Sequence, residues 1–179
     1  APYLNYYGDI AVSVTVSDGQ LTDSGSFTLT VNPVNDAPIL SSIDSQSVDE
    51  DNTFTYTLSA SDIDQDILEY AVSVNANASV SIDGSSLSIS PNLNYYGDIA
   101  VSVTVSDGQL IDSGSFTLVV NPVNDAPVLD TISDVDFDED TSTSISVSGS
   151  DIDGDVLTFS ITGGSEITST LDGSEITFT

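Results

Sequence analysis

The sequence predicts an all-β protein built from antiparallel sandwiches that follow one another in tandem. Segments such as IAVSVTVS alternate apolar and polar residues, which places the apolar groups on one face of an extended strand. No segment has the periodicity of a helix. The segments NPVNDAP and NYYGDIAVSVTVSDGQL each occur twice, both times at an offset of 89 residues, which indicates a tandem repeat.

One full period, read from Ala37, contains seven apolar stretches that we expect to be strands. They are Ile39 to Val48, Phe54 to Ala60, Leu68 to Val74, Val80 to Ile82, Leu87 to Ile89, Ile99 to Val105 and Phe116 to Val120. Asp83-Gly84 lies between two of them and predicts a tight two-residue hairpin turn with positive φ angles. Seven short strands in about ninety residues are typical of a Greek-key sandwich of immunoglobulin-like type.

Prolines mark the joints between modules. Pro33 and Pro38 remove amide donors and stiffen an extended connection. Residues 1–36 therefore match the C-terminal part of a repeat, 37–125 a complete repeat, and 126–179 the N-terminal part of the next one. We expect 126–179 to supply five early strands around an open core. Two completions stay open: continuation of the repeat, or residues 1–36 lent by a neighbouring chain in a head-to-tail fibre.

The composition excludes several classes of function. The formal net charge is -29, with no lysine, arginine or histidine, so phosphate repulsion argues against a nucleic-acid partner. No apolar run approaches the ~20 residues that cross a bilayer, and we expect no membrane insertion. Without cysteine, no disulfide holds the modules together. Because histidine, lysine and cysteine are all missing, we do not expect an enzyme.

Acidic clusters recur at the same offset, and we expect them in turns or joints. They are Asp49-Glu50-Asp51 with Asp138-Glu139-Asp140, Asp62, Asp64 and Asp66 with Asp151, Asp153 and Asp155, Asp18 with Asp107, and Asp36 with Asp125. In a seven-stranded sandwich the 62–66 turn and Asp107 can lie at one end, beside the preceding NDAP joint. The 49–51 turn then lies at the opposite pole, and we expect it to face Asp125 and the 151–155 turn.

Carboxylates that converge in this way need a counter-charge. At ~4 Å and an effective dielectric constant of ~20, each like-charged pair costs on the order of 4 kcal/mol. Oxygen ligands in irregular geometry suit calcium, with magnesium second because it demands a stricter octahedron. Zinc is disfavoured without nitrogen or sulfur ligands. Two plainer interpretations stay open: DxDxD alone is a weak signal, and an acidic surface also serves solubility in salt.

Three segments in this cyclic order resemble cadherin repeats: LSASDIDQDILEYAVSV, VTVSDGQLIDSGSFTLVVNPVNDAP and the DED turn. They are more similar to the cadherin-like tandem repeats of large bacterial surface and secreted adhesins, in which calcium lies at the junctions between domains. For the second junction the resemblance implies ligands from Glu50 with its flanking aspartates, Asn124, Asp125, Asp151 and Asp153. For the first junction it implies Asn35, Asp36, Asp62, Asp64 and Asp107.

We therefore expect a calcium-stiffened structural repeat of a bacterial extracellular adhesin, surface filament or biofilm protein. Its partners are adjacent repeats of the same protein, with a head-to-tail homopolymer as one arrangement, and any glycan or cell-surface ligand binds elsewhere in the full protein. The alternative is a module that binds carbohydrate or a copy of itself. Its one local support is the tyrosine pairs Tyr6-Tyr7 and Tyr95-Tyr96, where sugar stacking competes with packing of one ring into the core.

Overall fold

A computed structural model describes all 179 residues, which form strands and no helix. The chain divides into two compact units, unit 1 (Ala1–Asn121) and unit 2 (Pro122–Thr179). Unit 1 contains β1 (Gly8–Ser17), β2 (Thr22–Val31), β3 (Ile39–Leu40), β4 (Gln46–Asp49), β5 (Phe54–Thr57), β6 (Ala60–Ser61), β7 (Glu69–Val74), β8 (Ala78–Asp83), β9 (Ser86–Pro91), β10 (Gly97–Ser106) and β11 (Ile111–Asn121). Unit 2 contains β12 (Val128–Leu129), β13 (Thr143–Ser146), β14 (Gly149–Ser150), β15 (Ser169–Asp172) and β16 (Glu175–Phe178).

Strands β3 to β11 form the sandwich that the sequence predicts, with sheets in the order β4-β11-β10-β7 and β5-β9-β8 and a short β3-β6 pair. β4 runs parallel to β11, and the other pairs are antiparallel. Along β10 every second side chain from Ile99 to Val105 is fully buried, as expected for apolar alternation on a strand with one covered face. Ile99, Val101 and Val103 share a core with Leu87 and Ile89 of β9.

The number of strands differs from the sequence expectation. The predicted strand Ile39 to Val48 is two strands, because β3 pairs with β6 whereas β4 pairs with β11 in a different sheet. The predicted strand Phe54 to Ala60 also divides, into β5 and β6. At the β8–β9 turn Asp83 pairs with Ser86, so the turn residues are Gly84 and Ser85, and of the predicted Asp83-Gly84 pair only Gly84 has a positive φ, of 57°.

β1 and β2 form a hairpin whose sequence nearly repeats that of β10 and β11. Residues 8–31 and 97–120 differ at two positions, Thr22 against Ile111 and Thr30 against Val119. Both hairpins have the same register, from Gly8↔Val31 in one and Gly97↔Val120 in the other. Their environments differ, because much of the apolar face of β1–β2 is exposed while that of β10–β11 is buried.

Unit 2 contains one sheet and one short pair, in the orders β13-β16-β15 and β12-β14. They correspond, at the offset of 89, to β5-β9-β8 and β3-β6 of unit 1. The segments 135–138 and 158–163, which correspond to β4 and β7, are not strands. In unit 1 those two strands pair with the hairpin β10–β11, and unit 2 contains no equivalent of it. The expected strand equivalent to Leu68–Val74 therefore does not form here, because it has no ladder partner.

The predicted division into residues 1–36, 37–125 and 126–179 follows the repeat and stays a prediction. No helix of the structure has the length and apolar character to cross a membrane.

Candidate metal centre

The turn after β6 gathers three carboxylates. Oδ1 of Asp62 accepts hydrogen bonds from the backbone amides of Asp64 (2.8 Å) and Asp66 (3.3 Å), which folds the turn around this side chain. Gln65 adopts a left-handed conformation, with φ of 65°, and turns the chain back. As a result, carboxylate oxygens of Asp62, Asp64 and Asp66 lie within 4.8 Å of one another.

The linker before β3 is attached to this end of the sandwich at two points. The backbone amide of Asp36 donates to Oδ2 of Asp64 at 2.8 Å. Nδ2 of Asn35 donates to Oδ2 of Asp107 at 2.8 Å and to the carbonyl of Asp36 at 3.1 Å. The structure thus brings together at one joint the predicted residues Asn35, Asp36, Asp62, Asp64, Asp66 and Asp107.

Asp107 organises the loop between β10 and β11. Its Oδ1 accepts the backbone amides of Gln109 and Leu110, each at 2.6 Å. The Leu110 amide, followed by the Asn35 side chain and the Gln109 amide, holds the pKa of Asp107 below its usual value. These hydrogen bonds stabilise the ionised form of the Asp107 carboxylate.

The fit of a cation can be judged from Asp62. Its Oδ2 is buried and has no hydrogen-bond partner, while its Oδ1 already serves two amides. A buried carboxylate oxygen without a partner is costly unless it meets a positive charge. The neighbouring groups are carboxylates, and no basic side chain exists to approach them. This donor set fits a hard cation with oxygen ligands, calcium first among them.

Unit 2 repeats the same framework around the second linker. The amide of Asp125 donates to Oδ2 of Asp153 at 2.6 Å, and Nδ2 of Asn124 donates to the Asp125 carbonyl at 2.8 Å. Oδ1 of Asp151 accepts from the amides of Asp153 (3.0 Å) and Asp155 (3.2 Å). Each of these bonds has its counterpart 89 residues earlier, so the linker and the acidic turn assemble identically in both units.

The Asp49-Glu50-Asp51 turn lies where β11 ends. Nδ2 of Asn121 donates to Oδ1 of Asp49 at 3.1 Å, and the Glu50 amide donates to the Asn121 carbonyl at 2.9 Å. Glu50 is buried. Asp51, with φ of 61°, accepts the amide of Asn94 at 2.8 Å. The expected convergence of this turn with Asp125, Asp151, Asp153 and Asp155 stays a prediction, as does the metal-binding role of every predicted ligand.

The sequence analysis did not identify Gln109 as a residue of the joint. Nε2 of Gln109 donates to Oδ1 of Asn35 at 3.4 Å, so both polar atoms of the Asn35 amide are held by the β10–β11 loop. The repeated segment SDGQL, at residues 17–21 and 106–110, is the signal that could have indicated it.

Comparisons with known proteins agree with the architecture. Residues 35–119 match the sequence model of the family described as bacterial Ig domain. The human protocadherin-24 EC1-2 structure (form II) is 17% identical, with a TM-score of 0.52 over 66% of this chain and 67% of that one. An endo-fucoidan hydrolase from glycoside hydrolase family 107 is 16% identical, with a TM-score of 0.42; the match covers 97% of this chain and 29% of the hydrolase. A search of curated proteins gave no match.

The protocadherin likeness concerns the fold alone, since its identity is too low to carry ligands or partners across. Together with the family match it supports an immunoglobulin-like fold for β3 to β11. Residues 35–119 form an immunoglobulin-like sandwich that is similar to the bacterial Ig domain family and has a cadherin as a structural neighbour.

Proposed function

We propose that this chain is a calcium-stiffened structural repeat of a bacterial extracellular adhesin or surface filament, acting as a spacer or fibre segment. The observation that carries the proposal is the joint itself. In both units the amide of the linker aspartate donates to a carboxylate of the acidic turn, and the preceding asparagine side chain donates to the carbonyl of that aspartate, in a chain without a basic side chain. Function at this site therefore concerns the connection between modules.

Asp62, Asp64 and Asp66 would hold the cation at the first joint, and Asp151, Asp153 and Asp155 are their counterparts at the second. Calcium supplies positive charge and several coordination positions for oxygen. The other residues of the joint position the linker. Asp36 ties it to the turn through its amide, and Asn35 ties it to Asp107. Because the linker and the turn are hydrogen-bonded to each other, a cation that stabilises the conformation of the turn also stabilises that of the linker.

The length of the strands separates the entry of the chain into the sandwich from its exit. β11 begins at Ile111, beside the Asp107 loop, and ends at Asn121, which spans about 33 Å at the usual rise of a strand. The chain therefore enters the sandwich at one end and leaves it at the other. Proline at positions 33 and 38 limits the backbone freedom of the entry. A sandwich that the chain enters at one end and leaves at the other acts as a spacer of fixed length when the linkers on both sides are rigid.

The carbohydrate alternative receives no specific support from the tyrosines. Tyr95 packs partly buried against the core, and its hydroxyl donates to the Asp98 carbonyl at 3.2 Å. Tyr96 is exposed, but no second aromatic ring contacts it to form a platform. One ring of the pair thus packs on the core as a structural residue.

The test is calorimetric titration of the full chain with calcium, and separately with magnesium. We expect calcium to bind more tightly, and we expect Asp62→Asn to weaken calcium binding at the first joint by tenfold or more, about 1.4 kcal/mol. Asp83→Asn is the matched control, since it removes the charge of an exposed aspartate at the end of β8. Equal binding by all three proteins, or no heat with any of them, would refute the calcium joint.

A further inference from the structure

We infer that Asn35 serves the first joint as a hydrogen-bond donor and not as a metal ligand, and that Gln109 helps to hold its amide in the donating orientation. The inference deepens the proposed function, because it assigns roles within the same joint. The contacts that carry it lie within unit 1 and need no metal. Asn35 then ties the linker to the β10–β11 loop whether or not calcium is bound.

The two polar atoms of the Asn35 side chain face different partners. Nδ2 lies 2.8 Å from Oδ2 of Asp107 and 3.1 Å from the carbonyl oxygen of Asp36. Oδ1 lies 3.4 Å from Nε2 of Gln109. An ionised carboxylate and a carbonyl only accept hydrogen bonds, and an amide nitrogen only donates them. The two acceptors therefore select the orientation of the amide, and Gln109 complements it from the other side.

This orientation leaves no place for a cation between Asn35 and Asp107. Calcium lies about 2.3 to 2.6 Å from each ligand oxygen, so two oxygens on opposite sides of the ion are roughly 5 Å apart. The 2.8 Å between Nδ2 and Oδ2 is the length of a hydrogen bond to a charged acceptor. Oδ1, the atom of this side chain that can bind a cation, is turned toward Gln109.

The composition explains why an asparagine has this role. The chain has no lysine, arginine, histidine or tryptophan, so asparagine and glutamine supply all of its side-chain N–H donors. Asp107 is half-buried, and its Oδ1 already accepts the backbone amides of Gln109 and Leu110. The neutral amide of Asn35 gives its Oδ2 a donor in place of a basic side chain.

The second linker has the same orientation. Nδ2 of Asn124 donates to the carbonyl of Asp125 at 2.8 Å, as Nδ2 of Asn35 donates to the carbonyl of Asp36. In both linkers the amide nitrogen is thus turned toward the carbonyl that follows it. At the first linker Asp107 and Gln109 add the attachment to the β10–β11 loop.

A chelator separates the two roles, because a metal ligand contributes nothing when no metal is present. Asn35→Asp keeps the size of the side chain and its oxygen but removes the donor. With the full chain in chelator, we expect the backbone amide of Asp36 to exchange hydrogen about tenfold faster in this variant, since a bond to a charged acceptor is lost. The double variant Asn35→Asp/Asp107→Asn returns a donor to the same pair from the opposite side. It should recover most of the protection.

Gln109→Glu tests the residue that complements the orientation. The variant replaces the Nε2 donor by a carboxylate oxygen facing Oδ1 of Asn35. Gln20→Glu is the matched control, because Gln20 occupies the same position in the repeated segment SDGQL of the β1–β2 hairpin and is exposed. In chelator we expect faster exchange of the Asp36 amide in Gln109→Glu than in the control. The effect should be smaller than that of Asn35→Asp, since a contact of 3.4 Å is a weak hydrogen bond.

Carbon-13 NMR of the chain with calcium decides the ligand question. Coordination of a divalent cation shifts the resonance of the side-chain carbon that carries the ligand oxygen. On addition of calcium we expect Cγ of Asp62 to shift and Cγ of Asn35 to move much less. A shift at Asn35 as large as that at Asp62 overturns the inference.

The exchange measurements can also overturn it. They do so if Asn35→Asp leaves the exchange of the Asp36 amide in chelator unchanged, or if the double variant recovers no protection. If neither Cγ shifts with calcium while Asn35→Asp still accelerates exchange, the calcium joint fails and the donor role of Asn35 stands.

Discussion

Nδ2 of Asn35 lies 2.8 Å from Oδ2 of Asp107, a hydrogen bond between residues 72 positions apart in the chain. It joins the linker to the loop that connects β10 and β11, the two central strands of the core sheet. The position of the linker is therefore set by the same hairpin that fills the core. Substitutions at either residue should affect the joint without removing apolar contacts.

Asp107→Ala should loosen the first joint. The variant removes the bond to Asn35 together with two backbone amide contacts, whereas Asp18→Ala removes only the corresponding amide contacts in the other hairpin. We expect small-angle scattering of Asp107→Ala to show a more variable distance across the linker, and Asp18→Ala to resemble the unmodified chain. Identical profiles for the two variants would mean that the Asn35 bond does not restrain the linker.

Removal of calcium should increase the mobility of the linkers and acidic turns while the cores of the sandwiches stay folded. The predicted ligands lie in linkers and turns, while the core residues lie on strands within the sandwich. In the presence of a chelator we expect amides of the linker and the 62–66 turn to exchange hydrogen faster, with little change for amides of β10 and β11. Simultaneous loss of protection in the turn and in β10 would contradict this order.

Phe116→Ala and Phe27→Ala form a matched pair in nearly identical hairpins. Phe116 is 6% exposed, with its ring centroid 6.4 Å from that of Phe54, whereas Phe27 is 54% exposed. Phe116→Ala should lower the free energy of unfolding of the sandwich by roughly 3 to 5 kcal/mol. Phe27→Ala should change it by less than about 0.5 kcal/mol when measured in dilute solution. Urea unfolding of both variants measures the difference.

Acid should weaken the β1–β2 turn through Asp18. The backbone amides of Leu21 and Gln20 lower the pKa of this carboxyl from its ordinary value of 3.8. Because the pKa is lower in the folded state, the ionised carboxylate favours the folded turn above the ordinary value, and this contribution is lost as the pH falls through the lowered pKa. An NMR titration should give a midpoint below 3.8 for Asp18. In Asp18→Asn the exchange protection of Leu21 should no longer vary in this range.

Much of the fold follows from local sequence pattern. Alternation in GDIAVSVTVS predicted which side chains of β10 enter the core, because strand geometry sends successive side chains to opposite faces. The order of connections in a seven-stranded sandwich likewise predicted that Asp36, Asp64 and Asp107 share one end. There Asp36 bonds to Asp64, and Asn35 bonds to Asp107.

Other features depend on contacts distant in sequence. β3 and β4 are separate strands because β3 pairs with β6 and β4 pairs with β11, in different sheets. The apolar pattern of Ile39 to Val48 does not indicate this change of partner. The segment 158–163 has nearly the pattern of β7, yet its conformation depends on a hairpin that unit 2 does not contain. The unpartnered Oδ2 of Asp62 is equally invisible in sequence, since the fold of its turn decides which carboxylate oxygen is used.

The parallel pairing of β4 with β11 has a mechanical consequence. Its register, from Gln46↔Leu118 to Asp49↔Asn121, sets β4, the first strand of the four-stranded sheet in chain order, beside β11, the last strand of the sandwich. A pulling force applied through the two linkers draws these neighbours in opposite directions along their length. The ladder is loaded in shear, so its hydrogen bonds bear the force together instead of parting one after another as in a peeled hairpin. Under tension the linkers should therefore extend first, and each sandwich should hold its length until the whole ladder gives way at once.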